Sequence, residues 1–143
     1  MYIVAMDSSE TLTLVGAVSA VVDSNGKVAL PSAFRELLGN EKRFYLVKGK
    51  NNSLILYREK DFNENERPKL LALPPEEKIN ATINSQFITL DERQNRFLLV
   101  EKFKQHAGIT KEIVFVGAIT RIQIYSAENF EKLKNSMGDY EYE

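Results

Sequence analysis

A chain of 143 residues, 43% of them apolar, carries one domain's worth of sequence, long enough to bury about two-thirds of the surface its unfolded form exposes. Its formal charge of −1 supplies no bulk attraction to nucleic acid or to an anionic membrane, so any such contact has to come from a local basic face. The absence of cysteine excludes disulfides, thiolate zinc sites and cysteine nucleophiles together, and is compatible with a reducing cytosol.

The opening Met1-Tyr2-Ile3-Val4-Ala5-Met6 has no basic leader and is cut short by Asp7, so neither a signal peptide nor a spanning helix is expected there. Residues 1–13 read as an N-terminal arm, either a short strand or a loose segment. Asn51-Asn52-Ser53 and Asn80-Ala81-Thr82 then read as chance sequons. Residues 21–39 predict a strand, a tight turn, a second strand and a short helix. Asn25-Gly26 suits the positive φ values of a two-residue hairpin turn, and Asp23 can hydrogen-bond the backbone ahead of it. Pro31 suits a first helical position, and Phe34, Leu37 and Leu38 are placed on one face before Gly39 ends the helix.

Residues 43–48 and 53–57 form strand-like runs around the turn-rich Gly49-Lys50-Asn51-Asn52, which predicts a second hairpin. The charged stretch 59–73 has Phe62, Leu70 and Leu71 as its main apolar residues, with Pro68 and Pro74-Pro75 breaking it into short helical pieces. Residues 76–85 suggest a helix carrying Ile79, Ala81 and Ile83, against the weak propensity of Asn80, Thr82 and Asn84.

From residue 86 the pattern returns. Asp91 answers Asp23, Arg96 answers Lys27, Lys104 answers Arg35 and Gly108 answers Gly39, with one inserted turn residue in the second copy. Ile122-Gln123-Ile124-Tyr125 answers Leu54-Ile55-Leu56-Tyr57, and Phe130 answers Phe62, so the chain is a tandem duplication. The second turn, Asp91-Glu92-Arg93-Gln94-Asn95, lacks a glycine and leaves Asn95 to take the left-handed conformation. Residues 127–137 predict a helix with Phe130, Leu133 and Met137 on one face, followed by an acidic tail over 138–143. Neither copy has the apolar surface for its own core, so the two are expected to interleave.

The motif Asp23, Gly26, Lys27, Pro31 and Arg35, with Asp91, Arg96 and Lys104 in the second copy, resembles the MraZ family, a two-copy branch of the AbrB-like transcription factors. Lys27 stands where the family motif has arginine, the second copy lacks the motif glycine and proline, and residues 76–85, where the copies join, lack the arginines frequent in the family. The resemblance covers roughly residues 14–133. It implies a mainly β fold with short helices, in which two tandem swapped-hairpin copies, residues 14–75 and 76–137, make one double-split β-barrel. It also implies a cytoplasmic, nucleoid-associated regulator that binds double-stranded DNA as a ring-like homo-oligomer. Such a protein represses the division and cell-wall gene cluster through repeated promoter boxes, with no cofactor, membrane or small-molecule substrate.

Candidate DNA-binding residues are therefore Lys27 and Arg96 at the turn tips and Arg35 and Lys104 on the helices behind them, with Lys42-Arg43 nearby. Arginine reads guanine bidentately, whereas lysine acts more as a point charge. Set against this, turn lysines are commonly just solvated, and the helical cations can cover the barrel or pair with Glu36 or Glu101. Asp23, Asn25, Gly26, Asp91 and Asn95 are assigned to turn formation rather than to a carboxylate pair. His106, the sole histidine, has no partners spaced for a metal or for general base work, and Tyr57, Tyr125, Phe62 and Phe130 are read as core. No phosphate-binding glycine loop, nucleophile elbow or metal-ligand spacing occurs, so an enzyme is not expected. The alternative reading is an oligomeric structural or protein-interaction member that has lost DNA binding.

Overall fold

The computed structural model describes residues 12–143. The arm expected over 1–13 lies outside the described residues except for Leu12 and Thr13, both on the described side. The first copy runs β1 (Ala17–Val21), β2 (Lys27–Ala29), α1 (Ser32–Leu37), β3 (Arg43–Lys48) and β4 (Leu54–Arg58). A helical connection follows. Its first part, α2, is three abutting segments, Glu59–Asp61, a π turn over Phe62–Glu66, and Arg67–Leu71, and its second part is α3 (Pro75–Ile83). The second copy repeats the order as β5 (Ser85–Thr89), β6 (Arg96–Leu98), α4 (Glu101–Ala107), β7 (Glu112–Gly117), β8 (Ile122–Ser126) and α5 (Ala127–Met137).

The result is mainly β with short helices and is built twice, as the sequence class requires. The strands form a six-stranded antiparallel sheet in the order β1-β7-β8-β4-β3-β5 and a separate ribbon of β2 and β6. Hydrogen bonding does not close a ring: β1 and β5 are the sheet's two edges, and the ribbon is its own ladder.

The two copies exchange strands. β1 pairs with β7 of the other copy, with Ala17 opposite Val116 and Val21 opposite Glu112. Reciprocally, β5 pairs with β3, and β4 and β8 meet in the middle with Leu54 opposite Ile124. The turn expected at residues 23–26 is present, but its flanking strands do not ladder with each other. β2 is three residues long and joins β6, while β1 gains five register pairs on β7. An alternating pattern fixes which face of a strand is buried and leaves its neighbour open, which is why the exchange is invisible locally. The second hairpins, β3 with β4 and β7 with β8, form within each copy.

One core serves both halves. Phe44 and Leu46 of β3, Leu54 and Leu56 of β4, Ile113 and Phe115 of β7, and Ile122 and Ile124 of β8 point inward and are fully buried or nearly so. Phe34 and Phe103 close this core from α1 and α4, and Val28 and Phe97 close it from the ribbon. Leu37 departs from the expected face: Phe34 and Leu38 are four residues apart and point inward, whereas Leu37 is 45% exposed, one residue (about 100°) off that direction. Pro31 sits one position earlier than expected, as the N-cap of α1. Pro68 does not break the chain of helix either. It lies in the first turn of Arg67–Leu71, where its missing N–H matters least, directly after the π turn.

The outer face of the sheet is covered by α2 and α5. Phe62 stacks on Tyr45 at 4.3 Å and meets Tyr57 edge-on at 5.9 Å, and Phe130 lies 6.4 Å from Tyr125. Where β4 runs into α2, Arg58 and Asp61 form a buried pair, with Nε to Oδ2 at 2.6 Å and Nη2 to Oδ1 at 3.0 Å.

Candidate nucleic-acid interface

Both turns are built on an aspartate that ties down the backbone ahead of it. In the first, Asp23 Oδ1 accepts from Asn25 N–H at 2.8 Å and Lys27 N–H at 3.0 Å, and Gly26 N–H donates to the Asp23 carbonyl at 3.0 Å. Gly26 has φ +81°, which a side chain would resist. In the second, Asp91 Oδ1 accepts from Gln94 N–H at 2.6 Å, and Asn95 N–H donates to the Asp91 carbonyl at 3.2 Å. Asn95 takes φ +54°, so the residue equivalent to Gly26 does adopt the left-handed conformation. Its side chain is buried and its Oδ1 accepts from Lys42 Nζ, a tie back to the first copy.

The ribbon joins the turns symmetrically. Leu99 N–H donates to the Gly26 carbonyl at 2.8 Å, and Leu30 N–H to the Asn95 carbonyl at 3.0 Å. Lys27 is opposite Leu98 and Arg96 opposite Ala29, so the two tip cations share one ribbon and stand at its opposite ends. Arg35 and Lys104 follow on α1 and α4.

The four cations differ in what surrounds them. Lys27 is exposed and has no ion pair among the described residues. Arg96 is held between the carboxylates of both copies, Nε to Asp91 Oδ2 at 3.3 Å and Nη1 to Asp23 Oδ2 at 3.5 Å. Lys104 reaches Glu101 at 3.7 Å, the pairing anticipated as the plain alternative. Arg35 is half-buried, and its buried Nε has no acceptor. Of the neighbouring cations, Lys42 is engaged with Asn95, and Arg43 pairs with Glu59 at 3.0 Å.

Electrostatics follow the hydrogen bonds. The N–H of Lys27, joined by that of Asn25 and by the charges of Arg96 and Lys27, holds the Asp23 carboxyl below the usual carboxylate range against a partial opposing desolvation. The N–H of Gln94 does the same for Asp91, with Arg96 adding a hydrogen bond and its charge. Both aspartates are thus ionised turn-formers near neutral pH. The link from Arg96 to Asp23 crosses 73 positions of sequence, and no local signal could have shown it.

Elsewhere, His106 Nε2 lies 2.9 Å from the Gly49 carbonyl, and the hydroxyls of Tyr57 and Tyr125 accept from Arg121 and Gln123. Among the described residues no group of three or more histidines and carboxylates is placed to hold a metal ion, and no helix is long and apolar enough to cross a membrane.

Residues 13–78 and 82–139 each match the family described as "MraZ protein, putative antitoxin-like". A protein of Caldicellulosiruptor bescii named transcriptional regulator MraZ is 39% identical over 124 residues, covering 83% of this chain and 85% of the relative. Proteins of the same name from Thermoanaerobacter sp. strain X514 and Clostridium tetani are 33% identical over 129 residues and 35% identical over 133, covering 86% and 89% of this chain and 87% and 91% of the relatives. With two tandem matches on two interleaved copies, this chain belongs to the MraZ family.

Proposed function

We propose that the chain is a DNA-binding transcriptional regulator. The relatives named as transcriptional regulators support the class. The observation on this chain that carries it is Lys27, an exposed ammonium without an ion pair among the described residues, presented by a turn whose backbone is preset by Asp23 and Gly26. A cation held in place before the ligand arrives loses less entropy on binding a phosphate. Arg96, Arg35 and Lys104 are the further contacts, and residues 14–75 and 76–137 act as the two halves of one binding unit.

In the finer reading the protein is a cytoplasmic, nucleoid-associated repressor of the division and cell-wall gene cluster, lying along repeated promoter boxes as a ring-like homo-oligomer. Repetition around a ring would supply the affinity that few cations on a chain of charge −1 cannot. The test is a titration of the protein's own upstream duplex at several salt concentrations, with the oligomer measured by light scattering. Binding should fall steeply with salt, each phosphate contact contributing about −0.9 to the log–log slope. A monomer at micromolar concentration would remove the ring.

A second reading, an oligomeric interaction member that does not bind DNA, is favoured by the two carboxylates already holding Arg96. No retardation of the upstream duplex at low salt would select it.

A further inference from the structure

Away from the turns, the end of β3, the turn at 49–52, the end of α4 and the start of β8 enclose a cleft of about 790 Å³. Lys48, Lys50, Tyr57, His106, Arg121 and Gln123 line it, with Glu66 on the rim. None of these residues belongs to either tip turn. We propose that this cleft binds a small phosphate-bearing metabolite, a ligand class outside the DNA reading and independent of it.

Four observations carry the proposal. First, Arg121 is oriented entirely by neutral acceptors: Nη1 donates to the Tyr57 hydroxyl at 3.2 Å and Nη2 to Gln123 Oε1 at 3.4 Å, while Gln123 Nε2 is itself fixed on the Tyr125 hydroxyl at 2.8 Å. A half-buried guanidinium held by neutral acceptors, with no ion pair among the described residues, is preorganised and keeps its charge available to an anion. Second, Lys48 and Lys50 also have no ion pair among the described residues, and the one lining carboxylate, Glu66, lies 3.3 Å from Lys69 Nζ. The cleft therefore concentrates positive charge on a chain whose total is −1.

Third, the Tyr57 hydroxyl accepts from Arg121 and has its own proton to donate. Burial pushes this phenol up from its ordinary range, so the proton is retained at neutral pH. Fourth, the duplication supplies an internal control. The positions equivalent to Lys48, Lys50 and His106 in the other copy are Gly117, Ile119 and Leu37, so the fold does not need basic or polar groups here.

Phosphate is the chemistry that fits. It accepts from several donors at once, matches the planar guanidinium fork, and carries the double charge that Arg121 and two lysines would neutralise. The volume lies within the range of about 300–1,000 Å³ typical of small-ligand sites, and Val47 and Ile55 provide an apolar floor for an organic portion.

The test is calorimetry on the full chain with pyrophosphate and with adenosine monophosphate, beside a titration of the upstream duplex. One saturable site per chain is expected for at least one probe. Arg121→Gln and Lys50→Gln should each weaken it about tenfold, with Lys132→Gln, an exposed site on α5, leaving it unchanged. Duplex binding should be the same in Arg121→Gln as in the parent. If Arg121→Gln fails to fold, Lys50→Gln, in an exposed turn, decides alone. The proposal is overturned by no saturable binding of either probe, or by an equal loss in Lys132→Gln, which would mean diffuse charge. It also falls if Arg121→Gln weakens duplex binding as much as Lys27→Ala does, which would make the cleft a DNA contact.

Discussion

Two cations at equivalent places in the two copies have different surroundings, and the difference sets their expected behaviour. Lys27 is open to solvent, whereas Arg96 has to leave Asp91 and Asp23 before it can meet a phosphate. Lys27→Ala should weaken duplex binding by about 1.5–3 kcal/mol per contact, the usual worth of a hydrogen bond to a charged group. Asp91→Asn should strengthen it, because the amide oxygen can still accept from Gln94 N–H while Arg96 loses a charged partner. Titrations at one salt concentration check both, and a weakening in Asp91→Asn would mean that Asp91 orients Arg96 rather than restraining it. The Arg58–Asp61 pair is a second case at this scale, its side chains only 5% and 3% exposed. Asp61→Ala should destabilise by about 1.5–3 kcal/mol, since it removes the buried carboxylate that accepts two guanidinium hydrogen bonds. The equivalent positions in the second copy are Ser126 and Asn129, where Ser126 Oγ accepts from Asn129 N–H at 3.0 Å. The double change Arg58→Ser with Asp61→Asn should therefore cost less than Asp61→Ala alone in denaturant melts, and the reverse order would contradict the pairing argument.

Among the elements, those governed by a local code were legible and those governed by a distant partner were not. The Asp23–Gly26 turn, the left-handed Asn95, the second hairpins and the helix Ala127–Met137 all follow from residues within one or two turns of each other. The exposure of Leu37 and the passage of helix through Pro68 depend on what packs nearby, and spacing alone misplaced them. Leu14, the first residue of the first copy, has a partner that its sequence does not name either. Its N–H donates to the Ile119 carbonyl at 2.8 Å, so it lies against the turn that joins β7 to β8. Gly117 permits that approach: a Cβ there would stand 2.5 Å from the Leu14 carbonyl carbon and from Val15 N. Gly117→Ala should therefore lower stability by about 1–3 kcal/mol through overpacking against backbone. An unchanged melting temperature would show that the backbone at Leu14 and Val15 yields freely.

For the whole molecule, the duplication was readable in the spacing of Asp, basic residue and Gly, but the exchange was not, because no strand names its partner. Of the six strand pairings among the described residues, four join one copy to the other, so neither copy retains a complete sheet. Chains ending or beginning at Pro74 should accordingly be unfolded, aggregated or self-associated, with the intact chain unfolding in one cooperative transition. A dispersed amide spectrum from a monomeric half would refute this. The exchange also has a consequence in time. β1 leaves the ribosome early, yet the strand that completes it, β7, ends at Gly117. At about 5–20 residues per second, its edge waits several seconds for its partner. On a crowded polysome two nascent chains could lend each other that strand, so the same arrangement that welds the halves of one chain gives neighbouring chains an opportunity to become entangled.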